Sequence, residues 1–461
     1  MAQTWLAQRL GARARGKPRE RYQRNVYLLL LFTLGKGFQL SIASISIALY
    51  LASLHYSYKD IGLILAMPAI GSLAAGAPMG FLADRIGRKP LLLISGFLNP
   101  LAIAAIALST SEPFLIAASL TNGFLASAYW VTNLPMLTES TTEDQRVGVF
   151  ALNSFLLLGV GALGALIGGF VPEIVAGYLH VHANTPVPLR FGVIAAALIV
   201  FIPTAPLVLL REAPRIRRSR QEQSKGMVPV VAPATAEGTS VAVAAHAGEA
   251  AARSEETPAS RGTLVRLFTK LLIPDVLFTT GEGAVVALLP VFFEVRFGLN
   301  SGQLGVLVTI AGIFGGATAL TAPKFVRRFG KLRMATTMQY LSAPVMLLIG
   351  FSPLLPLAAL AEFSRQVLRG LFEPTYAAFA MESVSSRNRA TLSGFYSLTW
   401  SMGYSVGPFV GGHLDQAIGL SSSFVVGASL LIVSSTLLRL FFGRAQGIAV
   451  LRRRPVESGQ L

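Results

Sequence analysis

Twelve apolar runs punctuate the chain, at about 26–52, 61–82, 90–110, 113–138, 147–170, 190–210, 271–293, 303–323, 334–352, 354–381, 391–418 and 422–442. As helices rising about 1.5 Å per residue, runs of this length cross a hydrocarbon layer of about 30 Å. Short polar segments separate them, with one exception. Residues 211–262 open basic (Arg211, Arg215, Arg217, Arg218, Arg220) and continue through an Ala/Val/Thr/Ser/Pro-rich stretch to Thr257-Pro258. This stretch lacks helical periodicity and reads as a flexible cytoplasmic linker. The pattern predicts an all-α integral membrane protein of twelve transmembrane helices in two six-helix bundles. Its parts are a basic N-terminus (1–25), a first bundle (26–210), the linker (211–262), a second bundle (263–442) and a tail (443–461).

Composition sharpens this picture. The 461 residues are 53% apolar and 13% charged, with a mean hydropathy of +0.59. Soluble domains carry about 25% charged residues, so a soluble enzyme and a disordered protein are both excluded. With no cysteine there is no disulfide framework, Fe–S cluster or thiol nucleophile. The five histidines (His55, His180, His182, His246, His413) are scattered. His180-x-His182, on a predicted outer loop, reads as solvated, so no metal site is expected.

A formal net charge of +17 could suggest nucleic acid, but its distribution argues against that partner. With the N-terminus cytoplasmic, the outer loops hold only Lys59, Arg190 and Arg296, and the spans hold Lys36, Arg365 and Arg369. All the other lysines and arginines fall on the opposite side, the positive-inside bias of a polytopic protein with both termini cytoplasmic. The Arg9–Arg24 cluster and Arg452–Arg454 are placed to meet anionic lipid headgroups. The apolar run after Arg24 is too long for a signal-peptide core and reads as the first span.

Sliding the chain against itself aligns the two halves at an offset of 243 residues. Gly62 meets Gly305, Gly87 meets Gly330, Glu139-Ser140 meets Glu382-Ser383, and Arg146 meets Arg389. Gly164, Gly168 and Gly169 meet Gly407, Gly411 and Gly412. One offset holding across two loops and a span marks a duplication. Parallel six-span repeats place a substrate path between the halves, near the bilayer midplane.

The loop after the second span reads Gly80-Phe-Leu-Ala-Asp84-Arg85-Ile-Gly87-Arg88-Lys89-Pro-Leu-Leu92. It resembles the signature loop of the major facilitator superfamily, G-x-L-a-D-r-x-G-r-k-x-x-l, at every lettered position. The corresponding loop of the second half, Lys324 to Lys331, is degenerate and has Arg327 where Asp84 sits. Physically the loop reads as a conformational latch: glycines permit a tight turn and close approach, and Asp84 can face the positive end of a neighbouring helix. Arg85 and Arg88 can pair with Glu139, or with Glu143 and Asp144. The resemblance implies that such contacts between the halves stabilise the outward-open state.

Gly164-Ala165-Leu-Ile-Gly168-Gly169 in the fifth span resembles the G-P-x-x-G-G motif of drug/proton antiporters, with Ala165 in place of its proline. The antiporter arginine of the fourth span is replaced by Leu120. Gly407-Pro408 and Gly411-Gly412 mirror these glycines in the eleventh span, and small-residue helix packing accounts for both sets. Two nucleotide-like patterns lack their context. Gly159–Gly164 lies inside a membrane helix, and Gly11 to Gly16-Lys17 has Pro18 where a magnesium-binding hydroxyl belongs. No ATP site and no cofactor other than a coupling proton is expected.

The tenth span carries Glu362, Arg365, Arg369 and Glu373 within about 80° of one another on a helix, together with Gln366 and Tyr376. Four mid-span charges cost about 10–14 kcal/mol on the insertion scale, and ten Leu/Val/Phe residues return only about 3–6. The stripe therefore faces protein or a water-filled cavity, and Pro374 should bend the helix. Lys36 and Gln39 share a face of the first span, Asn122, Tyr129 and Asn133 a face of the fourth, and Asp275, Thr279 and Glu282 a face of the seventh. The offset pairs Gln39 with Glu282, Asn122 with Arg365, Trp130 with Glu373 and Asn133 with Tyr376. Members of the superfamily line their central cavity with these spans. Tyr129, Trp130, Tyr376, Tyr396 and Trp400 suit an organic solute.

The resemblance implies a monomeric secondary transporter of a small molecule in a bacterial-type inner membrane, working by alternating access. For Glu282 two readings stand: a proton carrier whose affinity changes as the site opens to either side, with Lys36 opposing protonation, or a static ion pair. Proton-coupled export of an organic compound and proton-coupled uptake of an anionic metabolite, held by Arg365, Arg369 and Lys36 around one cavity, both remain open. Arg365 and Arg369 can equally be structural partners of Glu362 and Glu373. A sensor would bind solute without moving it. A membrane-embedded enzyme would need a nucleophile–base pair that the sequence does not display.

Overall fold

The computed structural model describes residues 23–211, 261–319 and 321–452. Residues 1–22, 212–260 and 453–461 of the predicted N-terminus, linker and tail lie outside the described residues, while residues 443–452, predicted as tail, continue the last helix. Among those described there is no strand, and twelve membrane-length helices follow one another. These are α1 (Arg24–Ser53), α2 (Tyr58–Ile86), α3 (Arg88–Leu108), α4 (Glu112–Glu139), α5 (Gly148–Leu179) and α6 (Pro186–Leu209). They continue with α7 (Gly262–Phe297), α8 (Ser301–Ala319), α9 (Lys331–Phe351), α10 (Leu355–Glu382), α11 (Ser386–Ala417) and α12 (Ser422–Arg452). Ten are long and apolar enough to cross a membrane. The other two, α10 and α11, have 28 and 32 residues but are too polar: α10 bears the four-charge stripe, and α11 is rich in Ser, Tyr and Gly.

Local sequence sets the ends of these helices. Ser57 caps α2 by accepting a hydrogen bond from the Asp60 amide at 3.2 Å. Gly87 (φ 108°) separates α2 from α3, and its repeat counterpart Gly330 (φ 78°) separates the short helix Ala322–Phe329 from α9. Both occupy backbone space that favours glycine. The helix α5 is irregular: a π-helical turn at Phe155–Val160 and a 3₁₀ turn at Gly161–Leu163 interrupt it. Lys59, Arg190 and Arg296, expected in outer loops, lie instead within α2, α6 and α7 near their ends, because those helices extend past the apolar runs that located them.

The largest buried apolar cluster crosses the halves, joining Ile42, Leu49 and Tyr50 of α1 to Phe292 and Phe293 of α7 and Phe424 of α12. Two contacts related by the repeat close one end of the bundle. Gly169 of α5 packs on the backbone of Ser301, Gly302 and Gly305 of α8, while Gly412 of α11 packs on that of Tyr58 and Gly62 of α2. A Cβ at either glycine would run into a carbonyl oxygen of the opposite half. Hydrogen bonds reinforce this seal, from Ser301 Oγ to the Gly169 carbonyl at 2.9 Å and from the Tyr58 amide to Gln416 Oε1 at 3.0 Å. The sealed end carries the 54–57 turn, the outer side in the predicted topology.

Candidate substrate and coupling site

In the first half, α1 presents Lys36 and Gln39 one turn apart. The Lys36 ammonium, 3% exposed, donates to Gln39 Oε1 (2.9 Å), the Ser95 carbonyl (3.3 Å) and Asn99 Oδ1 (2.7 Å). Asn99 in turn donates to Asn122 Oδ1 at 2.6 Å and to the Asn122 carbonyl at 2.9 Å. Every one of these acceptors is neutral. Lys36, Gln39, Asn99, Asn122, Tyr129 and Trp130 line a cavity of about 150 Å³, whose far wall is Val286 and Ala287 of α7 with Tyr404 and Pro408 of α11. The cavity therefore lies between the halves. Just beyond it, Asn133 donates to Thr33 Oγ1, Tyr129 Oη and Asn153 Oδ1 at 3.1–3.3 Å, forming a second neutral cluster.

The second half contrasts with this. Arg365 is fully buried and donates through Nε and Nη2 to both oxygens of Glu362, each at 2.8 Å, and through Nη1 to Glu282 Oε2. Arg369 donates to Glu373 Oε1 at 2.7 Å and stands 3.7 Å from Glu282 Oε2. Its remaining nitrogen donates to Tyr404 Oη at 3.3 Å, and the guanidinium lies 5.7 Å from the centre of the Trp400 ring. The i,i+3 and i,i+4 spacings on α10 allow these pairs, and α7 supplies the shared carboxylate. Asp275 accepts from Thr399 of α11, and Tyr376 donates to the Leu271 carbonyl.

Residues expected around one cavity thus separate into two groups. Lys36, Gln39, Asn122, Tyr129 and Trp130 face the cavity. Asp275, Glu282, Glu362, Arg365, Arg369, Glu373 and Tyr376 form a buried layer on its other side, reached from the cavity through Tyr404. Lys36 makes no ion pair with Glu282 among the described residues. Arg365 and Arg369 each bind carboxylates of their own half, the structural pairing with Glu362 and Glu373 that stands beside anion recognition as a reading of these residues.

Among the described residues the signature loop forms an ion pair within one half. Arg88, at the start of α3, pairs with Glu139 at the end of α4. Lys331 pairs with Glu382 at the corresponding positions of the second half. Asp84 and Arg85 are exposed in the last turn of α2, with Arg85 stacked 4.2 Å from the Phe81 ring centre. Gly80 has open space around it, so close approach is not used there. The side chains of Arg146, Glu143 and Asp144 lie outside the described residues. Gly164, Gly168, Gly407 and Gly411 pack within their own halves, on Phe38 and Ile42 of α1 and on Thr280 and Ala284 of α7, while Gly169 and Gly412 join the halves and Pro408 lines the cavity.

Sequence reasoning missed Ser95, Asn99, Thr33, Asn153 and Tyr404. Asn99 left a signal, a lone amide in the otherwise apolar run 90–110. Tyr404 lies one turn from Trp400 and stacks on it at 5.3 Å.

This geometry, with helices duplicated about a central cavity between two bundles, defines a membrane transporter. The sequence profile of the Major Facilitator Superfamily matches residues 29–384 and, overlapping, 276–459. The chain belongs to the major facilitator superfamily and is a non-enzymatic, multi-pass membrane transporter. It is similar to the MFS-type transporter ppzB of Metarhizium majus, 25% identical over 429 residues that cover 83% of this chain and 91% of that protein. An uncharacterized MFS-type transporter of Schizosaccharomyces pombe is 32% identical over 120 residues, 26% of this chain and 27% of that one. Among solved structures, a bacterial homologue of the human lysosomal transporter Spinster, in an inward-facing and occupied conformation, has a TM-score of 0.66. At 14% identity it covers 90% of this chain and 95% of that chain.

Proposed function

We propose that this transporter couples the export of a small organic solute to proton entry, as a monomer without ATP, by alternating access. In this reading it resembles drug/proton antiporters, sits in a bacterial-type inner membrane with both termini cytoplasmic, and serves drug or metabolite efflux. The observation that carries the reading is the position of Glu282. Its carboxylate is 1% exposed and shared by Arg365 and Arg369, and it lies one helical turn from Val286, which lines the cavity. Arg369 also donates to Tyr404, which lines the same cavity. Protonating Glu282 removes one of the charges these guanidiniums share and loosens the link through Tyr404. Restoring the carboxylate tightens it. A proton and a solute then compete through one network.

The test uses inverted membrane vesicles with an acidic lumen and a pH-quenched dye inside, challenged with cationic, neutral and anionic organic compounds. Compound-specific dye recovery, absent in Glu282→Gln, is the expected result. Concentrative transport that survives in Glu282→Gln with its proton dependence unchanged would move the carrier to Asp275 or Glu362.

A further inference from the structure

We infer that Lys36 and Gln39 form the charge-recognition site for an organic carboxylate whose apolar body is about one ring in size. The inference rests on reading the cavity as the transport site. Among the described residues three cations are buried, Lys36, Arg365 and Arg369, and the two arginines already bind carboxylates. Arg365 and Arg369 contact Glu282, Glu362 and Glu373, so a solute anion could reach them only by evicting a carboxylate. Among the described residues Lys36 meets neutral groups: Gln39 Oε1, the Ser95 carbonyl, Asn99 Oδ1 and, 5.8 Å away, the Phe32 ring centre. An ammonium removed from water and paired with neutral groups keeps a large unpaid desolvation cost. An anion in the adjoining cavity offsets that cost.

Gln39 supplies the second observation. Its carbonyl oxygen is turned toward Lys36 by the hydrogen bond at 2.9 Å, which directs the amide nitrogen away. That nitrogen is buried and has no hydrogen-bond partner, although buried donors are nearly always satisfied. Gln39 lines the cavity beside Lys36. A carboxylate lodged there accepts from the Gln39 amide with one oxygen and faces the Lys36 charge with the other. Apart from Ser44, Asn99 and Asn122, the remaining wall is apolar and aromatic, including Ile47, Leu65, Ile103 and Trp130. A cavity of about 150 Å³ matches the space that holds a benzene-sized ligand.

The experiment measures binding of radiolabelled benzoate, its neutral isostere benzamide and the cation benzylamine to purified full-length protein. Because a hydrogen bond to a charged group outweighs one to a neutral group, benzoate is expected to bind roughly tenfold or more tightly than benzamide. That preference should vanish in Lys36→Gln, persist in part in Lys36→Arg, and weaken in Gln39→Leu, with melting curves confirming that each variant is folded. Benzamide or benzylamine binding as tightly as benzoate overturns the inference. So does a preference that survives Lys36→Gln, or folded wild-type protein that binds none of the three. Exchange of labelled benzoate in proteoliposomes separates this inference from the reading beneath it. Lys36-dependent binding without exchange keeps the site and removes transport, whereas solute exchange indifferent to Lys36→Gln keeps transport and removes the site.

Discussion

The two halves place polar side chains on the same faces of corresponding helices and use them oppositely. Where the first half has Gln39, Asn122 and Trp130, the second has Glu282, Arg365 and Glu373. The second half pairs its buried guanidiniums internally with Glu282, Glu362 and Glu373, in a layer where a solute would meet these ion pairs first. The first half keeps one cation, holds it with neutral oxygens and turns it to the cavity. A duplicated scaffold thus carries one cation among neutral groups on one side and paired charges on the other. The division follows from what each buried charge touches and not from how many charges each half owns.

The strongest way to break this comparison is to remove the central guanidinium. Arg365→Ala leaves Glu282 and Glu362 buried without their main partner, and breaking a buried pair costs about 3–5 kcal/mol. Loss of monodisperse protein and a large fall in melting temperature are expected. Lys36→Gln leaves only neutral groups behind and should be far milder; equal damage from the two changes would abolish the distinction between the halves.

Next in size is the signature loop. Asp84→Asn should insert normally yet turn over several-fold more slowly, since an exposed ion–dipole contact contributes about 0.3–1 kcal/mol, roughly a twofold to fivefold change in rate. Arg327→Gln, at the position that corresponds to Asp84, should transport at close to the parental rate. Comparing the two in proteoliposomes shows whether the latch belongs to one half alone; near-normal turnover by Asp84→Asn would remove the assignment.

Smaller effects come from the seal and the surface pairs. Gly169→Ala and Gly412→Ala should each weaken closure of the sealed end, and to a similar extent, because their surroundings correspond. Disulfide formation between Tyr58→Cys and Gln416→Cys, in a chain with no cysteine of its own, reports that closure. Smallest of all, Arg88→Gln and Lys331→Gln should each change stability by less than about 1 kcal/mol, since both pairs are partly exposed and screened. A larger loss in only one of them would show that the ion pairs, though corresponding in position, are not equivalent.

Much of the fold was legible because lipid imposes a simple code. All twelve spans announce themselves as apolar runs, α10 and α11 included despite their polar content. The loop at Gly80–Leu92 identified the superfamily, and the charge stripe of α10 had to turn inward on cost alone. Partner choice was not legible. That Lys36 reaches Asn99, 63 residues away, and not Glu282 depends on how α1 and α3 are rotated against each other. Hydropathy along single helices does not encode that rotation. Nor could spacing reveal that Arg365 grips both oxygens of Glu362, since i,i+3 neighbours can equally point their ends elsewhere.

The glycine contacts that close one end have a mechanical corollary. Gly169 against Ser301 and Gly412 against Tyr58 are two copies of one joint, set on opposite flanks of the axis between the halves and made of main chain at touching distance. Main chain has no rotamers with which to yield. A rocking motion that parts the halves must therefore release both joints in the same stroke, so that opening behaves as a double-bolted door and not as a zip drawn from one side.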